Sequence, residues 1–144
     1  MINATIEKFG YPATLVAEYH HWMVLVRPAA ATLGALVLAA KSDTKAYGDL
    51  PAEAFAEQAI VVARIEAALA LFVGYEKINY FMLMMVDPHV HFHVLPRYEG
   101  SRGFFGGDYP DAGWPGMPVL AGAPTLDDAA IARMAEKLRE CGLT

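Results

Sequence analysis

The sequence predicts a mixed fold in which helices pack on a β-sheet, and three observations predict it. The chain has 144 residues, 56% of them apolar, which is enough for one compact domain over residues 1–144. Runs of β-branched and aromatic residues occur near the start and after the middle of the chain. Two segments have helical patterns, one between these runs and one at the end of the chain.

Three apolar runs predict the strands. Residues 13–27, ATLVAEYHHWMVLVR, are typical of two short strands or one bent strand, and LGALVLAAK at 33–41 indicates another buried strand. KINYFMLMMV at 77–86 has almost no polar alternation, which predicts a central strand buried on both faces. Asp87 and Pro88 suit a tight turn, from which the chain would return as a paired strand.

The long helix is expected to run from Pro51 to about Val73 and to lie on the sheet. Its apolar residues recur on one stripe, formed by Phe55, Val62, Ile65, Leu69 and Phe72. The segment 99–124 is rich in glycine, proline and aromatic residues, and we expect an ordered covering loop there. A terminal helix should follow, with Thr125 as its N-cap.

Composition narrows the classes of function. Sixteen acidic and 11 basic residues give a formal net charge of -5, which does not favour binding to nucleic acid or to anionic membranes. Cys141 is the only cysteine, so the chain has no internal disulfide and no cysteine-built zinc site. Its start, MINATIEKFGYP, lacks a basic segment followed by an apolar run, and we therefore expect a cytoplasmic protein.

The stretch DPHVHFHVLPRY, residues 87–98, carries three histidines at alternate positions. In an extended strand His89, His91 and His93 share one face, while the apolar residues between them point into the core. Three interpretations follow: a surface strand with incidental histidines, a metal site with Asp87, or nucleophilic attack on phosphorus by one imidazole. The third needs a fixed nitrogen with hydrogen-bond donors beside it, which a row of imidazoles supplies.

HVHFHVL resembles the histidine triad motif, and Pro96 with Arg97 resembles the LPR ending of the dinucleoside polyphosphate hydrolase branch of that family. The resemblance covers roughly residues 14–98 and implies an α+β fold with a five-stranded antiparallel sheet, commonly paired into a homodimer. It implies nucleotide hydrolase or nucleotidyl transferase chemistry through a covalent nucleotidyl-histidine on His91. His89 and His93 would then orient the nucleophile, contact phosphate or assist the leaving group, and no metal or other cofactor is required.

The sequence departs from that family's pattern at two places. LMMVDP stands where relatives carry a polar phosphate-binding loop, and Ala35 stands where many carry a further histidine. We rank Arg97 first as a replacement phosphate contact, with Asn79 and Asp87 as further substrate-binding candidates. Other residues that would supply lost donors are His20, His21, Arg27 and Arg102.

The sequence therefore predicts a nucleotide hydrolase or nucleotidyl transferase that acts at the α-phosphate of a small-molecule nucleotide. Neither nucleic acid nor a membrane is an expected partner, but a second copy of the chain is. Two alternatives remain open. One is a nucleotide-binding module without turnover, suggested by the missing polar loop. The other is a metal-binding protein that uses the histidine row.

Overall fold

The computed structural model describes residues 1–144 and contains a five-stranded antiparallel sheet with helices packed against it. The sheet has the strand order β1-β2-β3-β5-β4, and a separate hairpin is formed by β6 and β7. The strands are β1 Leu15–Glu18, β2 Trp22–Val26, β3 Leu36–Ala40, β4 Lys77–Phe81, β5 His91–Arg97, β6 Ser101–Phe104 and β7 Gly107–Pro110. The helices are α1 Ala4–Lys8, α2 Ala52–Phe72 and α3 Asp128–Glu140. The predicted α+β fold with a five-stranded sheet, a long helix and a C-terminal helix is confirmed.

The two faces of the sheet have different covers. On the helix face, Trp22, Val24, Leu36 and Leu38 pack with α2 and α3 in the main core, as side chains at alternate strand positions must. The opposite face, which we call the histidine face, carries His91 and the other odd-numbered residues of β5. It is covered by α1 and the chain after it, where Ile6 packs with residues of β2 and β3.

Helix α2 agrees with its predicted bounds to one residue at each end, but its buried stripe differs. The residues that face the sheet are Ala54, Val61, Ile65, Ala68 and Leu69. Phe55, predicted in the stripe, is 37% exposed and lies against the ring of Tyr47, with ring centroids 5.2 Å apart. Small alanines at the contact let the helix approach the sheet closely, so that the Trp22 indole N–H donates to the Ala54 carbonyl at 2.7 Å.

The N-cap of α3 is Asp127 and not Thr125. The Asp127 carboxylate accepts a hydrogen bond from the Ala130 N–H at 2.8 Å. Thr125 instead forms an isolated antiparallel bridge with Ala29, which ties the chain before α3 to the loop after β2. The prediction failed because Thr and Asp are both good caps, and tertiary pairing decided which of them the helix uses.

The prediction of a central strand over residues 77–86 is wrong. β4 ends at Phe81 and lies at the edge of the sheet, and β5 occupies the position between β3 and β4. After Phe81 the chain leaves the sheet, passes through a positive φ of 47° at Met84 and exposes apolar side chains. The continuous apolar run up to Val86 therefore does not mark a strand buried within this chain.

The glycine- and proline-rich segment contains the hairpin of β6 and β7, followed by residues 111–124, which pack on the histidine face. Leu120 and Ala123 lie against Ala31, Ala35 and Leu95 there. None of the helices combines the length and the hydrophobicity that a membrane crossing requires.

Candidate active site

His91 and His93 lie side by side at the start of β5. They are 1% and 7% exposed, and their rings meet edge to face with centroids 5.1 Å apart. Val90 and Val94 point to the helix core, as predicted. His89 does not belong to the strand, because β5 begins at His91, so the expected row of three imidazoles on one strand is reduced to two.

The geometry fixes the tautomer of His91. Its Nδ1 lies 2.7 Å from the carbonyl oxygen of His89. A carbonyl oxygen only accepts hydrogen bonds, so Nδ1 of His91 carries the proton. Neutral His91 then has its lone pair on Nε2, which is the form that a nucleophilic imidazole requires.

The opposite tautomer is fixed at His93. Arg27 lies just after β2 and donates from Nε to Nδ1 of His93 at 3.1 Å. A guanidinium has no acceptor, so Nδ1 of His93 carries the lone pair and Nε2 carries the proton. Burial, and after it the charges of Arg27 and His91, lowers the pKa of His93 from 6.5 to about 4. His93 is therefore neutral near pH 7.

The N-terminal segment covers the histidines. Thr5 Oγ1 lies 2.8 Å from Nδ1 of His89, and the ring of Phe9 lies 5.5 Å from the rings of both His91 and His93. Asn3 holds this cover in place, since its side-chain amide donates to the Ala40 carbonyl at 3.1 Å and its oxygen caps α1.

A cavity of about 200 Å³ opens beside the two imidazoles. It is lined by Leu83, Met84, Met85, Val86, Asp87, His91 and His93. Asp87 is held by an ion pair with Lys8 at 2.6 Å. The apolar segment of residues 83–86 therefore forms one wall of the cavity, and the imidazoles form the other.

Arg97 and Asn79, both predicted to bind substrate, lie near the opposite end of β5 from His91. Arg97 is 3% exposed and forms a bidentate ion pair with Asp111 at 2.7 and 3.1 Å. It also donates to Asn79 Oδ1 and to the Gly116 carbonyl, each at 2.8 Å. Only one of its five N–H groups stays free of these bonds. The two residues border a separate cavity of about 500 Å³ with Gly116 and Met117.

The other candidate donors are dispersed. His20 and His21 lie between β1 and β2, where their backbone N–H groups donate to Glu57. Arg102 lies over the Tyr98 ring at 4.5 Å. Among the candidate arginines, Arg27 alone reaches the histidines, and it stands next to Ala35, whose carbonyl accepts the Arg27 backbone N–H at 3.0 Å.

Sequence reasoning missed the cover formed by Thr5, Lys8 and Phe9. Asn3 directly before ATIEK is a capping signal that could have indicated α1. No pattern in the sequence indicates that this short helix lies over the histidines. No group of three or more histidine, cysteine, aspartate or glutamate side chains is placed to hold a metal ion.

Comparison with solved structures gives the fold. The structure superposes on a histidine triad protein from Sinorhizobium meliloti with a TM-score of 0.75 at 22% identity, covering 97% of this chain and 95% of that one. For a histidine triad protein from Bradyrhizobium japonicum the TM-score is 0.74 at 21% identity, covering 97% and 96%. For one from Marinobacter aquaeolei it is 0.73 at 20% identity, covering 94% and 92%.

Sequence comparison adds no assignment, because no protein-family model and no curated protein sequence matches the chain. The structural likeness extends over nearly the whole chain, and it includes the sheet on which the two buried imidazoles lie. The protein has the fold of the histidine triad proteins.

Proposed function

We propose that this protein is a single-domain histidine triad enzyme that hydrolyses or transfers a nucleotide at its α-phosphate, with His91 as the nucleophile. The observation that carries the proposal is the bond from His91 Nδ1 to the His89 carbonyl, which leaves the Nε2 lone pair available in a buried site that borders a cavity. The matching fold supports it.

The proposed reaction has two displacements. Nε2 of His91 attacks the α-phosphorus, a P–N bond forms, and the bond to the leaving group breaks with its electron pair. The leaving group takes a proton from water or from His89. A water, or another acceptor in a transferase, then attacks the phosphorus and gives its proton to the base left by the first step, His89 or hydroxide, and the P–N electron pair returns to Nε2. The His89 carbonyl stabilises the imidazolium that exists between the two steps.

His93 has a hydrogen-bonding role in this proposal. As a neutral Nε2–H donor it binds a phosphoryl oxygen, where negative charge increases during attack. Asp87 borders the same cavity, which supports its proposed role as a substrate-binding residue. Arg97 binds both Asn79 and Asp111, so the phosphate is expected at the imidazoles and not on Arg97 or Asn79.

The LPR ending makes dinucleoside polyphosphates the first substrates to test, with adenosine phosphoramidates beside them. We also propose that the enzyme is a cytoplasmic homodimer. β4 is an edge strand that pairs with β5 on one side only, and Leu83, Met85 and Val86 after it are exposed apolar side chains. Both features are typical of a surface that a second copy covers.

The test is mass spectrometry without acid after brief incubation with both substrate classes, recording released mononucleotide and the covalent adduct. Wild-type protein should release mononucleotide and carry an adduct on His91, and His91→Ala should lose both. His20→Ala removes an exposed histidine outside the site and should retain activity. A folded His91→Ala protein with full activity would refute the proposal.

A nucleotide-binding module without turnover is the second candidate. The observation that favours it is the apolar wall formed by residues 83–86, which offers no side-chain donor to phosphate. Nucleotide binding without product or adduct, from either substrate class, would establish the module in place of the enzyme.

A further inference from the structure

Arg27 is a half-buried cation that has no carboxylate partner. The ion pairs of the chain involve Lys8, Lys41, Arg97, Arg102 and Arg133, but not Arg27. Burial lowers the pKa of its guanidinium from the usual value of arginine, since no negative charge offsets the loss of water. Burying an unpaired cation is unfavourable, so its position calls for a functional explanation.

Two hydrogen bonds aim this guanidinium at His93. One nitrogen, Nη1, donates to the Ala29 carbonyl at 2.6 Å, and Nε donates to Nδ1 of His93 at 3.1 Å. The backbone N–H of Arg27 is also fixed by the Ala35 carbonyl at 3.0 Å. The planar guanidinium is therefore held at both ends, and its Nε–H points at one nitrogen of one imidazole.

The groups around His93 all favour its neutral form except one. Phe9 and Val37 offer it no charge, Arg27 and His91 repel a proton, and Asp87 across the cavity attracts one. Asp87 is paired with Lys8, which weakens that attraction. A proton on Nδ1 would also face the Nε–H of Arg27, so protonation of His93 has to break this hydrogen bond.

We propose that Arg27 is a positioning residue that holds His93 as the neutral Nε2–H tautomer, so that His91 and His93 present one lone pair and one N–H to the same phosphoryl group. The kinetic part of this inference rests on the proposed function, but the state of His93 does not. Arg27 takes no part in bond making, and its contribution is that the donor beside the nucleophile stays uncharged and in one orientation.

The experiment measures His93 directly by ¹⁵N NMR of the histidine-labelled full chain across pH 4–8, without nucleotide. In wild type, Nδ1 of His93 should be an unprotonated acceptor and Nε2 should carry the proton at pH 7. Arg27→Met removes the charge and the donors, and should raise the pKa of His93 by about one unit or more. The shift is partial because burial, the largest cause of the low value, remains.

Two further variants test the cause. Arg27→Lys keeps the charge and should leave His93 close to wild type, and Arg139→Met removes an exposed arginine elsewhere and should change nothing. If the protein turns over nucleotide, the acid limb of kcat should move upward with the pKa of His93 in Arg27→Met. A change in folding alone would lower the rate without moving that limb.

Each outcome decides the inference. A proton on Nδ1 of His93 in the wild type overturns it, and so does an unchanged pKa in Arg27→Met. A Lys variant that behaves like the Met variant would mean that the charge of Arg27 does not control His93, and this also overturns it. Absence of turnover in the wild type refutes the proposed function but leaves the NMR result to decide the role of Arg27.

Discussion

At the scale of single residues, the lowered pKa of His93 makes the stability of the folded protein depend on pH. Its pKa is about 4 in the folded protein and 6.5 in the unfolded chain, so between these values the unfolded chain binds more protons. The stability that depends on neutral His93 is fully present above pH 6.5 and is lost as pH falls from 6.5 to about 4. We expect the free energy of unfolding to drop by about 2–3 kcal/mol over this range because of His93.

Urea unfolding at pH 7, 5.5 and 4.5 measures this drop. Carboxylates also titrate there, so the informative quantity is the difference between wild type and His93→Gln, which cannot take up the proton. The Gln variant should have the shallower decline with falling pH. Equal slopes for the two proteins would mean that His93 is not buried in its neutral form.

The sequence indicates that two imidazoles share a site but not which nitrogen of each carries the proton. Alternation along a strand is enough to place His91 and His93 on one face, since that follows from backbone geometry alone. The proton positions depend on the His89 carbonyl and on Arg27, which is far from His93 in the chain. The sequence favours Arg97 over Arg27 as a phosphate contact because Arg97 adjoins the histidine motif. Its actual partner, Asp111, lies in an irregular segment, where no pattern predicts the contact.

At the scale of elements, the edge strand β4 shows where pattern reasoning fails. An apolar run of this length is compatible with burial inside a chain or between chains, and the sequence does not distinguish them. Here β4 is paired on one side by β5 and open on the other, and the apolar residues after it are exposed, Met85 to 89%. This is the physical reason to expect a second copy at this edge.

The dimer is tested by placing charge on this exposed segment. Met85→Lys with Val86→Lys should change the stability of an isolated chain little, because both side chains are already exposed. Burying these lysine charges between two copies is strongly unfavourable. Light scattering should give twice 15.6 kDa for wild type and close to 15.6 kDa for the double variant. Ile60→Lys on α2, also an exposed apolar position, is the matched control and should remain dimeric. A monomeric wild type at the same concentration would contradict the dimer.

At the scale of the whole molecule, the long helix was predictable and the assembly of the elements was not. α2 could be placed to one residue because its helical period, Pro51 and Gly74 agree. The resemblance implies five antiparallel strands but the pattern along the chain does not give their order, since β5 separates β3 from β4 although β4 precedes it in the chain. The cover of the histidine face comes from α1 and from residues 111–124, which are far apart in the sequence, and long-range packing of this kind leaves no local periodic signal.

One buried ion pair joins the end of β5 to the segment that follows the hairpin. Arg97 binds the Asp111 carboxylate with two nitrogens, and Asp111 also accepts the backbone N–H of Tyr98 at 3.2 Å. Arg97 further holds the Gly116 carbonyl, so it fixes residues 111–116 against the sheet. Such a pair makes Arg97 a structural clamp of the covering loop.

Replacing Arg97 by Leu should therefore lower the free energy of unfolding by about 3–5 kcal/mol, because the carboxylate of Asp111 stays buried without its cation. Removing both charges, with Arg97→Leu and Asp111→Leu together, should recover part of that loss, since two apolar side chains carry no desolvation penalty. Urea unfolding of the nucleotide-free protein measures both effects, and Arg139→Leu on the exposed side of α3 is the control. A single variant that loses less than about 1 kcal/mol but binds nucleotide weakly would return Arg97 to the phosphate-binding role that its place beside the triad suggests.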